Sequence, residues 1–98
     1  MLIRIVKLTF KSENSVKFEQ IFKETKQYIQ DFEGCISLEL LQDKTNPNIF
    51  FTHSQWSSEE YLNKYRNSDF FNKVWSKTKV LFDAKPEAWS VLKKHLGD

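Results

Sequence analysis

The sequence predicts an α+β domain with a single antiparallel sheet, its elements running β-α-β-β-α-β. Three observations predict it. A β-branched, apolar opening segment is followed by a stretch with helical spacing. Two alternating segments flank the turn formers Asp43, Asn46, Pro47 and Asn48, and an aromatic-rich helical region begins directly after Trp56 and stops before Pro86. With 98 residues the chain is expected to form one domain over 1–98, near the lower end of the range in which a core alone gives comfortable stability. Nine Phe, three Trp and three Tyr supply the apolar area. Each aromatic can bury on the order of 150–250 Å². The same richness leaves room for apolar surface buried against a second subunit or a ligand.

Residues 2–10 read as the first strand, interrupted by polar Arg4 and Lys7. After a polar break at 12–15, Phe18, Ile21, Phe22, Thr25, Ile29 and Phe32 recur at helical spacing, and Gly34 sits where a left-handed residue can follow a helix. In the second strand, 35–42, Ile36, Leu38 and Leu40 alternate with Cys35, Ser37, Glu39 and Leu41. The turn at 43–48 makes a hairpin with the third strand, 49–56. On that strand Phe50, Thr52, Ser54 and Trp56 share one face, and Phe51, His53 and Gln55 share the other. Ser57 with Glu60 three residues on has the form of a capping box. The helical region that follows pauses near Asn67-Ser68 and is expected to run on through Phe82 to Lys85-Pro86. Residues 87–96 suit either a strand or a short helix by composition, and topology selects a strand, which completes the split βαβ unit of a ferredoxin-like fold.

Composition narrows the function classes. A net charge of +2 with interspersed signs gives no electrostatic footprint for nucleic acid or an anionic membrane surface. The third strand also lacks the basic residue and glycine of an RNA-recognition strand. The opening apolar stretch carries charges, so it is neither a signal core nor a membrane span, and a cytoplasmic location is expected. Cys35, the single cysteine, cannot form an internal disulfide. Two histidines remote in sequence make no metal cluster, and two glycines make no phosphate loop, so neither a metal nor another cofactor is expected.

From Gly34 onward the order of the pieces resembles the antibiotic biosynthesis monooxygenase domain. The pieces are Gly34-Cys35 through Leu40, Asp43 and Pro47 in the turn, Trp56 closing a strand, Ser58-Glu59-Glu60 opening a helix, and Ser68-Asp69-Phe70-Phe71; the match spans residues 34–75. The resemblance implies a dimeric α/β barrel, in which two subunits pack the open faces of their sheets together and each keeps a pocket between sheet and helices. For some relatives it implies oxygenase chemistry without metal or flavin, in which a deprotonated phenol or quinol itself reduces dioxygen. A haem-degrading branch of the superfamily needs an axial histidine and a strand-one asparagine, and this chain has Trp75 and Val6 there. The two partly apolar faces of the third strand point independently to a homodimer.

The resemblance marks Trp56 as bordering a pocket, and a core anchor between sheet and helix is the competing role for the same side chain. Thr52 and Ser54 share its face and would supply sparse polar contacts. Tyr61, Tyr65, Phe70, Phe71 and Trp75 would form the helical wall, most of them as packing, with Tyr65 chosen to direct a hydroxyl at a ligand. The expected binding set is therefore Trp56, Thr52, Ser54, Tyr65, Phe70 and Trp75. Three residues could serve catalysis, namely His53, Tyr65 and Arg4, and no proton acceptor is singled out. His53 has the right chemistry, but parity puts it opposite Trp56, where a dimer interface is the alternative. Arg4 could pair with a carboxylate or phenolate if its strand face looks into the pocket, and an arginine at a strand end reaching solvent is the favoured alternative. His95 reads as a surface residue, and Cys35 as a small buried hydrophobe. Two functions stay open: a cofactor-independent monooxygenase acting on a small aromatic, and a non-catalytic barrel binding a small apolar ligand.

Overall fold

The computed structural model describes residues 1–97. Four strands form one antiparallel sheet: β1 (Leu2–Thr9), β2 (Cys35–Gln42), β3 (Ile49–Trp56) and β4 (Glu87–Leu92), in the spatial order β2-β3-β1-β4. Helix α1 (Ser15–Gln30) links β1 to β2, while α2 (Glu59–Arg66) and α3 (Asp69–Lys79) link β3 to β4. This is the ferredoxin-like arrangement expected from the sequence.

Register decides which side chains share a face. Leu2, Arg4, Val6 and Leu8 of β1 stand opposite Trp56, Ser54, Thr52 and Phe50 of β3. In turn Arg4 and Val6 pair with Ser90 and Ala88 of β4. These side chains point to the helices, because directly paired residues lie on the same side of a pleated sheet. The core beneath α1 gathers Leu8, Phe10, Phe18, Phe22, Ile29, Leu38 and Phe50. Phe18, Phe22, Thr25 and Ile29 form the inward stripe of α1. Leu2, Trp56 and Leu62 make a second cluster beneath α2, and Tyr65 touches both clusters. Among the described residues no helix covers the other face of the sheet, which carries Ile3, Ile5, Leu41, Phe51, Trp89 and Val91.

The hairpin turn is held by its own side chains. Asp43 Oδ2 accepts from the amides of Thr45 and Asn46, and Asn46 Oδ1 accepts from the amide of Asn48. Gly34 has φ of +87°, and a Cβ there would overlap the Cβ and Cγ of Tyr61. Glycine is thus required both by the left-handed backbone and by the close approach of α2.

The structure departs from the sequence reading in three places. The β2–β3 register shifts between Cys35 and Ser37, so Ile36 falls out of phase with Leu38 and is 54% exposed. A bulge adds a residue to one strand, which alternation alone cannot register. Helix α2 begins one residue later than the Ser57 capping box implies: the Ser57 amide is still bonded to the Gly34 carbonyl at 2.8 Å, and Ser58 occupies the N-cap without a side-chain bond. Finally, α3 ends at Lys79 and not near Lys85. Phe82 instead bridges Phe10 and stacks on it at 5.2 Å, while the Asp83 amide bonds the Thr9 carbonyl. Tertiary pairing at the end of β1 wins over helical continuation there.

Candidate active site

Between the helix face of the sheet and the three helices lies a cavity of about 310 Å³, at the lower end of the ~300–1,000 Å³ usual for ligand pockets. Its floor is Arg4, Val6, Leu38, Thr52, Ser54 and Trp56. Its roof combines Ile21, Thr25 and Ile29 of α1 with residues of α2 and α3. Arg66 and Ala88 are exposed yet line the cavity, so its mouth lies at the β1–β4 edge.

The roof is a train of rings. Trp56 stacks on Tyr65 at 5.2 Å, Tyr65 meets Phe71 edge-on at 5.1 Å, and Phe71 stacks on Trp75 at 5.9 Å. The break between α2 and α3 makes this possible. The Ser68 hydroxyl donates to the Tyr65 carbonyl at 2.6 Å and accepts from the Phe71 amide at 3.1 Å, so one side chain ends α2 and caps α3. Phe71, Val74, Trp75 and Thr78 then fall on one stripe of α3 and face the cavity.

Of the binding residues expected from sequence, Trp56, Thr52, Ser54, Tyr65 and Trp75 line the cavity. Phe70 does not. It packs against Phe32 and Tyr28, and its neighbour Phe71 holds the wall. Successive helical residues point about 100° apart, and the inward stripe of α3 runs through Phe71 with Phe70 outside it. Arg4 lines the cavity, whereas His53 lies on the far face of the sheet and can reach nothing inside it. There His53 Nδ1 comes within 3.3 Å of Glu39 Oε1 without the alignment of a hydrogen bond, and it has no other partner. Arg66, Val74 and the α1 contributors Ile21 and Thr25 were not singled out as site residues from sequence. For α1 the signal was present, since Ile21 and Thr25 stand four residues apart on the apolar stripe.

The polar groups of the cavity divide into used and unused. Ser54 Oγ accepts from Trp56 Nε1 at 3.0 Å and lies 3.5 Å from the Arg4 carbonyl. Its hydroxyl is therefore committed to holding the tryptophan. Thr25 and Thr78 bond back to carbonyls of their own helices. The side-chain hydroxyls of Thr52 and Tyr65 take part in no hydrogen bond among the described residues. Burial, and after it the nearby Cys35, push the Tyr65 phenol far above its ordinary value, so it stays protonated and can only donate or accept neutrally. Burial also raises the Cys35 thiol, against a weaker pull from the Ser37 backbone. Among the described residues the lining holds no His, Asp, Glu or Cys. Among the described residues no three His, Cys, Asp or Glu side chains come together as a metal site would require, and no helix is long and apolar enough to cross a membrane.

A family model described as antibiotic biosynthesis monooxygenase matches residues 1–75. No curated protein matches the chain. Among solved structures, a conserved protein from Methanosarcina mazei Go1 is 27% identical, with a TM-score of 0.89 over 96% of this chain and 94% of that one. A protein named antibiotic biosynthesis monooxygenase superposes with a TM-score of 0.90 at 15% identity, over 97% of this chain and all of that one. One from Deinococcus radiodurans, provisionally given the same name, superposes with a TM-score of 0.88 at 14% identity, over 100% of this chain and 97% of that one.

Proposed function

Because the chain belongs to the antibiotic biosynthesis monooxygenase family, we propose that its pocket takes a small electron-rich aromatic, a phenol or quinol, and inserts one atom of dioxygen into it without a cofactor. The observation that carries the reading is a ring-walled cavity with two unpartnered hydroxyls, those of Thr52 and Tyr65. Apolar walls with a few convergent polar groups orient a flat ligand.

The deprotonated substrate passes one electron to dioxygen, the resulting radical and superoxide join as a peroxide, and loss of water leaves a carbonyl. At an activated ring methylene the balance is CH2 plus O2 giving C=O plus H2O, with all the reducing electrons drawn from the substrate. The protein's part is to position the ring and exclude water. Tyr65, held protonated by burial, donates to the substrate oxygen and does not act as the base. With no carboxylate or imidazole in the lining, the substrate proton leaves to water at the mouth.

That missing base also favours a second reading, a binding protein without turnover. Oxygen uptake over a panel of quinols separates the two. Turnover above the spontaneous rate that falls in Tyr65→Phe and Thr52→Val supports the enzyme. Saturable quenching of tryptophan fluorescence without turnover supports the binding protein. Absence of both sinks the pocket assignment.

The uncovered face of the sheet supports a homodimer as the working form. Ile3, Ile5, Leu41, Phe51, Trp89 and Val91 lie together there, with Trp89 44% exposed. A self-complementary apolar patch of this kind closes most simply by two-fold pairing.

A further inference from the structure

We propose that the pocket selects an anionic substrate, an aromatic carboxylate whose ring enters the cavity while Arg4 and Arg66 hold its carboxylate at the mouth. The proposal rests on the reading of the cavity as a site for a small aromatic and names the class of aromatic it prefers.

Arg4 stands on the helix face of β1, and Arg66 in the last turn of α2; both line the cavity. Among the described residues neither is paired with an acid. The ion pairs among the described residues are Lys7 with Glu87 and Lys64 with Glu60, and the one other such acid–base contact is His53 near Glu39. The lining contains no Asp or Glu either. Two guanidiniums at one rim, without a counterion among the described residues, are an arrangement that an incoming anion improves. Desolvation, and after it the charge of Arg66, lower the Arg4 guanidinium from its ordinary value while leaving it cationic.

Arg4 is also aimed. Its Nη1 donates to Ser90 Oγ at 2.9 Å, across the β1–β4 pair that places Arg4 opposite Ser90. One donor fixes the side chain, and the other N–H groups of the planar fork stay free for a carboxylate. Of the two cations in the last turn of α2, Lys64 and Arg66, only Arg66 lines the cavity. The rest of the cavity is ring and aliphatic surface with only neutral hydroxyls, so the ligand that satisfies the whole site is apolar at one end and negative at the other.

The test is calorimetric titration of the full-length protein with 2-naphthoate and with its methyl ester, at neutral pH and low salt. The wild type should bind the acid about tenfold more tightly than the ester, the scale of one charge-assisted bidentate contact. Added salt should shrink that ratio. Arg66→Gln alters an exposed side chain and should cut the acid-to-ester ratio at least about threefold, with Arg4→Gln cutting it further. Should Arg4→Gln not fold by circular dichroism, the Arg66→Gln ratio decides alone. Equal binding of acid and ester, or a ratio that survives substitution of the arginines, overturns the proposal while leaving the aromatic pocket standing. Binding of neither compound overturns both.

Discussion

The Ser54 hydroxyl is the hinge between the core and the candidate site, and its removal gives a sharp energetic expectation. Trp56 is 1% exposed, and its indole N–H has one partner, Ser54 Oγ at 3.0 Å. Ser54→Ala takes away a small side chain but strands a buried donor, which costs about 1–3 kcal/mol. For a domain of this size that corresponds to a melting point lower by roughly 5–20 °C. Trp56→Phe removes the donor itself and leaves a void, so it is costly for a different reason. In the double variant no donor is stranded, and the two losses should fall short of additivity by about 1–2 kcal/mol. Urea unfolding of the four proteins at one fixed protein concentration measures the cycle, the concentration mattering if the chain dimerises. A coupling below about 0.5 kcal/mol would refute the view that Ser54 serves to hold Trp56.

Further expectations follow from the same geometry. Gly34→Ala must adopt a left-handed φ and push Tyr61 aside, so it should lose more than the ~1–2 kcal/mol of the backbone term alone, read from denaturant midpoints. Tyr65 ionises at higher pH in the folded state than when unfolded; the unfolded chain therefore releases that proton first, and stability should fall as pH rises above about 10, by up to ~1.4 kcal/mol per pH unit. Tyr65→Phe should flatten that slope in unfolding experiments across the same range. Light scattering should give twice the chain mass, and Trp89→Asp on the uncovered sheet face should shift it to the monomer; a wild-type monomer at micromolar concentration contradicts the shared-sheet assembly.

Much of the architecture was legible because β3 alternates without interruption. With Trp56 marked by the resemblance as bordering the pocket, parity puts Phe50, Thr52 and Ser54 on its face and His53 opposite, and the register has them so. What escaped the sequence has local physical causes. A bulge at Ile36 breaks the phase of β2, the Ser57 amide stays bonded to Gly34, and Phe82 leaves the helix to pair with Phe10. The choice of Phe70 over Phe71 failed because the phase of α3 is set by its cap at Ser68; counted from there, Phe71, Val74, Trp75 and Thr78 form the inward stripe. Arg66 carried no motif at all. Its place at the mouth comes from where α2 stops, and only the packed structure gives that.

The cavity is the proposed place where an aromatic meets dioxygen, and oxygen consumption by a plugged variant tests this most directly. Ala88 is exposed on β4 and lines the mouth, so Ala88→Trp should close the entrance while leaving the core untouched. With a quinol that the wild type oxidises above the spontaneous rate, Ala88→Trp is predicted to fall to that spontaneous rate with an unchanged melting temperature. A folded Ala88→Trp protein that consumes oxygen as fast as the wild type would place the chemistry elsewhere.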